Sequence, residues 1–452
     1  ANKEADAGGS KFVAYCVRFG NLEVRRRYSE FASLRKILCR MYPTVIVPPI
    51  PEKHTLADYA TKQGRAKDDV PTIEKRKRML GSFLNRVATH PILSTEHVFH
   101  QFLEASAKWS DVLKSEAVTS LPKRPILQPP KPAVGDTVPE HVFSIPVPRA
   151  SGRLRRPDPA FQQAEVEAET LVNHLQLRME PDQRRVSRRL AELSADNSEL
   201  GALYNGFSLT ETDQLAEGIE KVGQAVDTVY LANNALKSAM ESEMSERLHE
   251  YAQFTAVIKS VLRYRHQRHL QVEYLEGQLQ LQRRQLETLL RADAEAQRLS
   301  EALAQLTSHS AGETPNVASA EPRPPSSAPA MSSVPTRQRR SSLPSGGILS
   351  RISSTFHGIL DVDPDATRRR NISKTQRFIA QLEEYVEMAS NDLVRTSAAI
   401  QQDLDRFQRH KMQDFRDMMI VYARMHIKWC QQAQAGWEQA RQQVEEIPTP
   451  LP

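Results

Sequence analysis

Residues 23–38 read EVRRRYSEFASLRKIL, placing Arg25, Arg26 and Arg27 directly ahead of Tyr28 and Phe31. Three adjacent like charges repel unless water or an anion screens them, so the run needs either a solvated face or an anionic ligand. At period two, Leu22, Val24, Arg26 and Tyr28 share one side of a strand, while Glu23, Arg25 and Arg27 share the other. One side is then mixed and the other charged throughout. A solvated edge explains the charged side; a phosphorylated ligand explains both the charge and the ring.

Working outward, KFVAYCVRF and LEVRRRY alternate well enough to form a hairpin turning at Gly20-Asn21. Residues 1–10, ANKEADAGGS, do not read as a strand. A helix carrying Phe31, Leu34, Ile37, Leu38 and Met41 follows and ends before Pro43. In VIVPPIPEKH, residues 45–54, Pro48, Pro49 and Pro51 force an extended, polyproline-like path with Lys53 at its far end. Helical period returns over 72–89 with Ile73, Met79, Leu80, Phe83, Leu84 and Val87 inward, and His90-Pro91 stops it. A short helix, Val98 to Leu103, closes a unit near residue 115.

The charge balance locates the cationic field. The 452-residue chain has a net charge of +6, yet residues 1–115 hold 20 Lys and Arg against 12 Asp and Glu, a surplus of eight. That segment suits an anionic surface, either nucleic acid or an acidic membrane face. Cys16, Cys39 and Cys430 are too few and scattered for a disulfide framework or a zinc cluster, which fits a reducing compartment. No run of 18 apolar residues occurs and nothing at the N-terminus resembles a signal peptide, so membrane contact is expected to be peripheral.

Beyond residue 120 the character changes. Residues 120–160 hold ten prolines and read as a linker. A helix is predicted over 160–179, ending at Pro181 at the first turn of the next helical region, which runs to about 239 with a bend near Gly206; another covers about 241–306. Sixty helical residues span roughly 90 Å, which demands a bundle or coiled coil. A last long helix, 371–446, keeps three- and four-residue apolar steps from Ile379 to Trp429, including Leu404 and Phe407. Between these helices, 307–345 is Ser/Pro-rich and expected to be disordered. Next, Ile348, Leu349, Ile352, Phe356, Ile359 and Leu360 fall on one face of an amphipathic helix. That face suits packing on the bundle or entering a membrane, and both readings stand.

Taken in order, RRYSEF, VPPIPEK and KRKRMLGSFLNRVATHPIL resemble the phosphoinositide-binding PX domain over about residues 11–110. The resemblance implies that Arg27 engages the 3-phosphate of phosphatidylinositol 3-phosphate and that Tyr28 stacks under the inositol ring. It also implies that Lys53 meets the 1-phosphate and that Arg76 binds the 4- and 5-hydroxyls, with Arg78 a competing assignment. Guanidinium forks and ring faces suit such a ligand. The family's first strand would lie ahead of the hairpin, where residues 1–10 offer none.

SELGALYNGFSL, IEKVGQAVD and VLRYRHQRH resemble the BAR half of the PX-BAR sorting nexins, and the gap followed by GGILSRISSTFHGILDVDPDATRRRNISKTQ is similar to their fungal, autophagy-linked branch. The implied fold is an α+β PX domain, a small antiparallel sheet plus helices, followed by an all-α BAR domain of three long helices. On this reading the PX domain covers 1–115, a proline-rich linker 116–160 and the first part of the BAR domain 161–306. The gap is 307–345, the amphipathic helix 346–361, the last BAR helix 362–447 and a tail 448–452.

The resemblance implies a non-enzymatic, cofactor-free cytoplasmic protein, peripheral on endosomes and pre-autophagosomal membranes. It would sense or stabilise membrane curvature in retrograde protein transport and selective autophagy. Its partner would be another PX-BAR sorting nexin, or a second copy of itself.

Rival readings of the same residues are weaker. Arg263, Arg265 and Arg268, with Arg368, Arg369, Arg370 and Lys374, suit either anionic lipid or solvated helix faces. His266 and His269 have metal-ligand spacing without an acidic or cysteine partner at a telling distance. No base-reading motif accompanies the basic unit, and no nucleophile elbow, phosphate loop or paired carboxylate suggests catalysis. A coiled-coil adaptor without lipid specificity needs only the helices, and leaves RRYSEF and PPIPEK unexplained.

Overall fold

A computed structural model describes residues 2–5, 11–20, 22–52, 70–127, 149, 151–310 and 364–448. At its N-terminus, strands β1 (Asn2–Ala5), β2 (Lys11–Phe19) and β3 (Leu22–Arg27) form an antiparallel sheet in that order. The predicted hairpin is present: Phe19 pairs with Leu22, and Gly20 takes φ +55°, which a glycine adopts without strain. The expectation that residues 1–10 hold no strand is corrected, because Asn2 to Ala5 pairs with Ala14 to Lys11. Such an edge segment is held by backbone bonds and needs no apolar alternation to signal it.

Helix α1 (Tyr28–Met41) buries Phe31, Leu34, Ile37 and Leu38, the stripe its spacing predicts. It is followed by α2 (Val70–Thr89), α3 (His97–Leu103), α4 (Trp109–Lys114) and α5 (Glu116–Thr119). Their core centres on Phe102, which meets Phe31 and Trp109 edge-on with centroids 5.0 and 5.1 Å apart. Residues 116–127 are thus not a plain linker: Val118 and Ile126 are buried.

The helical part begins at α6 (Pro159–His174), where Asp158 accepts the Ala160 N–H and Pro159 occupies the first turn. The expected break at Pro181 does not occur. A π-helical turn, Leu175–Met179, leads directly into α7 (Glu180–Ser208), and its wider winding makes room for the proline ring. The chain reverses instead at residues 209–212, ahead of α8 (Asp213–Met240), where the expected bend near Gly206 proves to be a full turn. At 241 a second π-helical turn, Glu241–Ser245, joins α8 to α9 (Glu246–Ser310). The last helix, α10 (Pro364–Glu445), starts before the predicted 371.

Two compact units result. One comprises 1–273 with 388–452, and the other 274–387. In the first, Tyr251, Phe254, Phe407 and Phe415 form a ring cluster around which Leu248, Ile400, Leu404 and Met418 are buried. In the second, Leu275, Leu279, Ile379, Leu382 and Tyr385 are buried, and Arg283 pairs with Glu383 at 2.7 Å.

Candidate functional site: a cationic cluster around Tyr28

The three consecutive arginines, Arg25, Arg26 and Arg27, have different surroundings. Arg26 lies on the inner face and is 6% exposed. Its guanidinium donates to the carbonyls of Gln101, Phe102, Glu104 and Ala107 and so caps the end of α3. Burial pushes its pKa down. Arg25 and Arg27 are exposed on the outer face, as the period-two reading predicts. Arg27 ends the strand, and its N–H donates to Glu30 Oε2 at 3.0 Å, fixing the strand-to-helix junction.

Tyr28, the next residue, is half-buried, and its hydroxyl donates to the carbonyl of Pro51 at 2.6 Å. The Arg76 guanidinium lies over the Tyr28 ring at 5.0 Å and donates to the Glu52 carbonyl at 3.3 Å. Residues distant in sequence thereby converge: the strand end, the proline run and the first turns of α2. Burial raises the pKa of the Tyr28 hydroxyl, and the charges of Arg76 and Arg35 oppose that shift. Lys53 lies outside the described residues.

Arg78, the competing candidate, is engaged elsewhere. It donates to both carboxylate oxygens of Glu246 in α9, at 2.9 and 2.6 Å, and the hydrogen bond to Glu246 raises its pKa. It belongs to a seam in which N-terminal donors meet helical carboxylates. Ser82 and Arg86 donate to Glu250, Arg86 also reaches Asp414, and His90 meets Asp403 at 3.2 Å. Ile46 is buried among the bundle's apolar residues and gives its N–H to Asp403 at 2.6 Å. Sequence reasoning missed this seam, since its partners lie 164 or more positions apart and no local period marks them.

Two of the helical cations depart from both the lipid-facing and the solvated expectation, while Arg263, Arg369 and Arg370 are exposed. Arg265 and Arg268 are both 5% exposed. Arg265 stacks 3.7 Å over Phe161 and pairs with Asp158, while Arg268 donates to Tyr264 and Gln271. His266 meets the Gly152 carbonyl at 2.8 Å, and Glu273 accepts the N–H groups of Arg155 and Arg156. Residues 151–158, read as linker, are therefore a strap bound to α9. The amphipathic segment with Ile348, Leu349, Ile352, Phe356, Ile359 and Leu360 lies outside the described residues.

Helix α7 carries a second surface, an exposed apolar row whose seven-residue spacing is present in the sequence. On α7, Val186, Leu193, Leu200 and Phe207 recur at seven-residue steps and are 43–50% exposed, and Leu203 is 70% exposed. A heptad of this kind is the mark of a helix seeking a partner.

The PX domain family model matches residues 15–106. A Sorting nexin-41 from Cryptococcus neoformans is 41% identical over 99% of this chain and 71% of its own length. Another, from Yarrowia lipolytica, is 38% identical over 99% of this chain and 78% of its own. The Autophagy-related protein 20 of Gibberella zeae is 35% identical over 99% and 83% respectively. Among solved structures, the cryo-EM structure of the SNX-BAR Mvp1 tetramer aligns with TM-score 0.52 at 14% identity, over 95% of this chain and 94% of that one, a likeness of fold.

Proposed function

The chain belongs to the PX-BAR sorting nexins, in the fungal branch tied to autophagy, and from that premise we propose that it reads phosphatidylinositol 3-phosphate on endosomal and pre-autophagosomal membranes. Arg27 engages the 3-phosphate, Tyr28 underlies the inositol ring, Arg76 takes the 4- and 5-hydroxyls, and Lys53 meets the 1-phosphate. The observation that carries this reading is the placement of the Arg76 guanidinium on the Tyr28 ring beside the proline run, one residue from Arg27. The engagement of Arg78 by Glu246 favours Arg76 for the last role.

The helical part senses or stabilises curved membrane in retrograde sorting and selective autophagy, as a dimer with another PX-BAR sorting nexin or a second copy. The exposed heptad on α7 supports such pairing. Ile348, Leu349, Ile352, Phe356, Ile359 and Leu360 act as a supplementary anchor, each large side chain adding roughly 1.5–3 kcal/mol before ordering costs. Among the described residues no helix is long and apolar enough to cross a membrane.

Liposome co-sedimentation across head groups and diameters tests the proposal. Binding restricted to vesicles with phosphatidylinositol 3-phosphate is expected, while Phe356→Asp reduces capture mainly by small vesicles. Indifference to head group would leave a coiled-coil adaptor instead.

A further inference from the structure

Helix α1 and the proline run lie along each other, tied by two rungs. The first is the Tyr28 hydroxyl on the Pro51 carbonyl at 2.6 Å, and the second is Arg35 Nε on the Pro48 carbonyl at 2.8 Å. The order is antiparallel, since the earlier helix residue meets the later proline. The rung spacings agree: seven helical residues rise about 10.5 Å, and three residues of polyproline-like chain rise about 9 Å.

Pro48, Pro49 and Pro51 have no N–H and cannot be held by a backbone ladder through their own donors. Three side chains donate to the carbonyls of the run: Arg35, Tyr28 and, at the Glu52 carbonyl, Arg76. Arg35 alone of these stands two helical turns from the ring. Its charge nevertheless bears on the Tyr28 hydroxyl.

We propose that Arg35 is a positioning residue for the head-group site: by holding the Pro48 carbonyl it sets the distance and angle of the proline run, and through it the Tyr28 ring and the Arg76 guanidinium. It need not touch the ligand. Pro48 is buried, so its carbonyl has little water to replace the lost donor. Without the second rung the run pivots about the first, and the ring turns with it. This inference rests on the proposed reading of phosphatidylinositol 3-phosphate.

The test is isothermal titration of the whole chain with a soluble short-chain phosphatidylinositol 3-phosphate, below the melting temperature of every variant. Arg35→Met keeps the apolar stem and removes the donor; it is expected to weaken binding about tenfold, the equivalent of one buried hydrogen bond to a charged group. Arg35→Lys restores a donor and is expected to recover most of the loss. Arg35→Met and Tyr28→Phe, which each remove one rung, are expected to be non-additive in a double-mutant cycle because both act through one run.

A merely stabilising arginine would lower the melting temperature of Arg35→Met while leaving affinity and the cycle flat, and that outcome overturns the inference. Strictly additive losses overturn it as well. Should the unmodified chain itself fail to bind the lipid, the reading beneath it falls too. Binding by the unmodified chain, its loss in Arg27→Ala and unchanged binding in Arg35→Met would remove the role of Arg35 alone.

Discussion

Arg86 of α2 and Asp414 of α10, 328 positions apart, meet at 2.7 Å, and the same guanidinium holds Glu250 of α9 at 2.7 and 3.1 Å. Burial alone would lower the pKa of Arg86, but the adjoining carboxylates more than reverse this and raise it. Tyr251 donates to the same Asp414 oxygen, Oδ2, at 2.5 Å. The PX part is therefore fastened to the helices through partly buried charge. Arg86→Met is expected to destabilise the protein by roughly 3 kcal/mol, as removal of one partner from a buried pair does. In urea denaturation, the double variant Arg86→Met/Glu250→Gln should lose clearly less than the two single losses added together. Additive losses would deny the coupling.

The adjacent arginines Arg26 and Arg27 should fail in opposite ways. Arg26→Ala uncaps the carbonyls that end α3 and should cost about 3 kcal/mol or more of stability. Arg27→Ala removes an exposed side chain and should abolish lipid recruitment with circular dichroism and melting temperature unchanged. Thermal melts paired with liposome sedimentation separate the two.

Association should depend on α7 and not on the apolar stripe of α10. Leu404 and Phe407 are both 9% exposed inside the chain's own core, so Leu404→Asp is expected to melt the bundle. Leu203→Asp with Phe207→Asp, at exposed positions, should leave the melting temperature within about 0.5 kcal/mol equivalent and shift the sedimentation coefficient toward monomer. A dimer that survives this double change sits on another face.

Acid should release the strap before it unfolds the bundle. Burial would raise the Glu273 carboxyl, but the N–H groups of Arg155 and Arg156 outweigh it, and the net shift is downward. With the folded pKa below the unfolded one, the stabilisation is complete above the ordinary carboxylate range and is lost as pH falls through the folded value. Hydrogen exchange at residues 151–158 should accordingly quicken on acidification, and Glu273→Gln should show that faster exchange already at neutral pH. A pH-independent profile in the unmodified chain would contradict this.

What could be read from sequence followed from short-range period. The alternation around Arg25, Arg26 and Arg27, the stripe from Phe31 to Leu38 and the stop at Pro43 are local consequences of strand and helix geometry, and each is present. Arg76 and Tyr28 were named through motif order, and the structure sets one over the other. The misreadings have physical causes. Pro181 suggested a break, but a π-helical turn absorbed it; the edge strand Asn2–Ala5 is written in backbone bonds. The inward role of Arg26 required the end of α3, 75 to 81 positions away. Arg78 differs from Arg76 by two residues, about 200° around a helix, and only the position of Glu246 tells their duties apart.

Every carboxylate of the seam, Glu246, Glu250, Asp403 and Asp414, comes from the helices, and the side chains that approach them from the first ninety residues are donors. A helical fragment produced without its N-terminal third would uncover this acidic row. Bilayers rich in anionic lipid would then repel a surface that the whole chain keeps neutralised. Vesicle assays on such a fragment would report weaker binding to anionic bilayers than the whole chain gives, and adding salt would strengthen it.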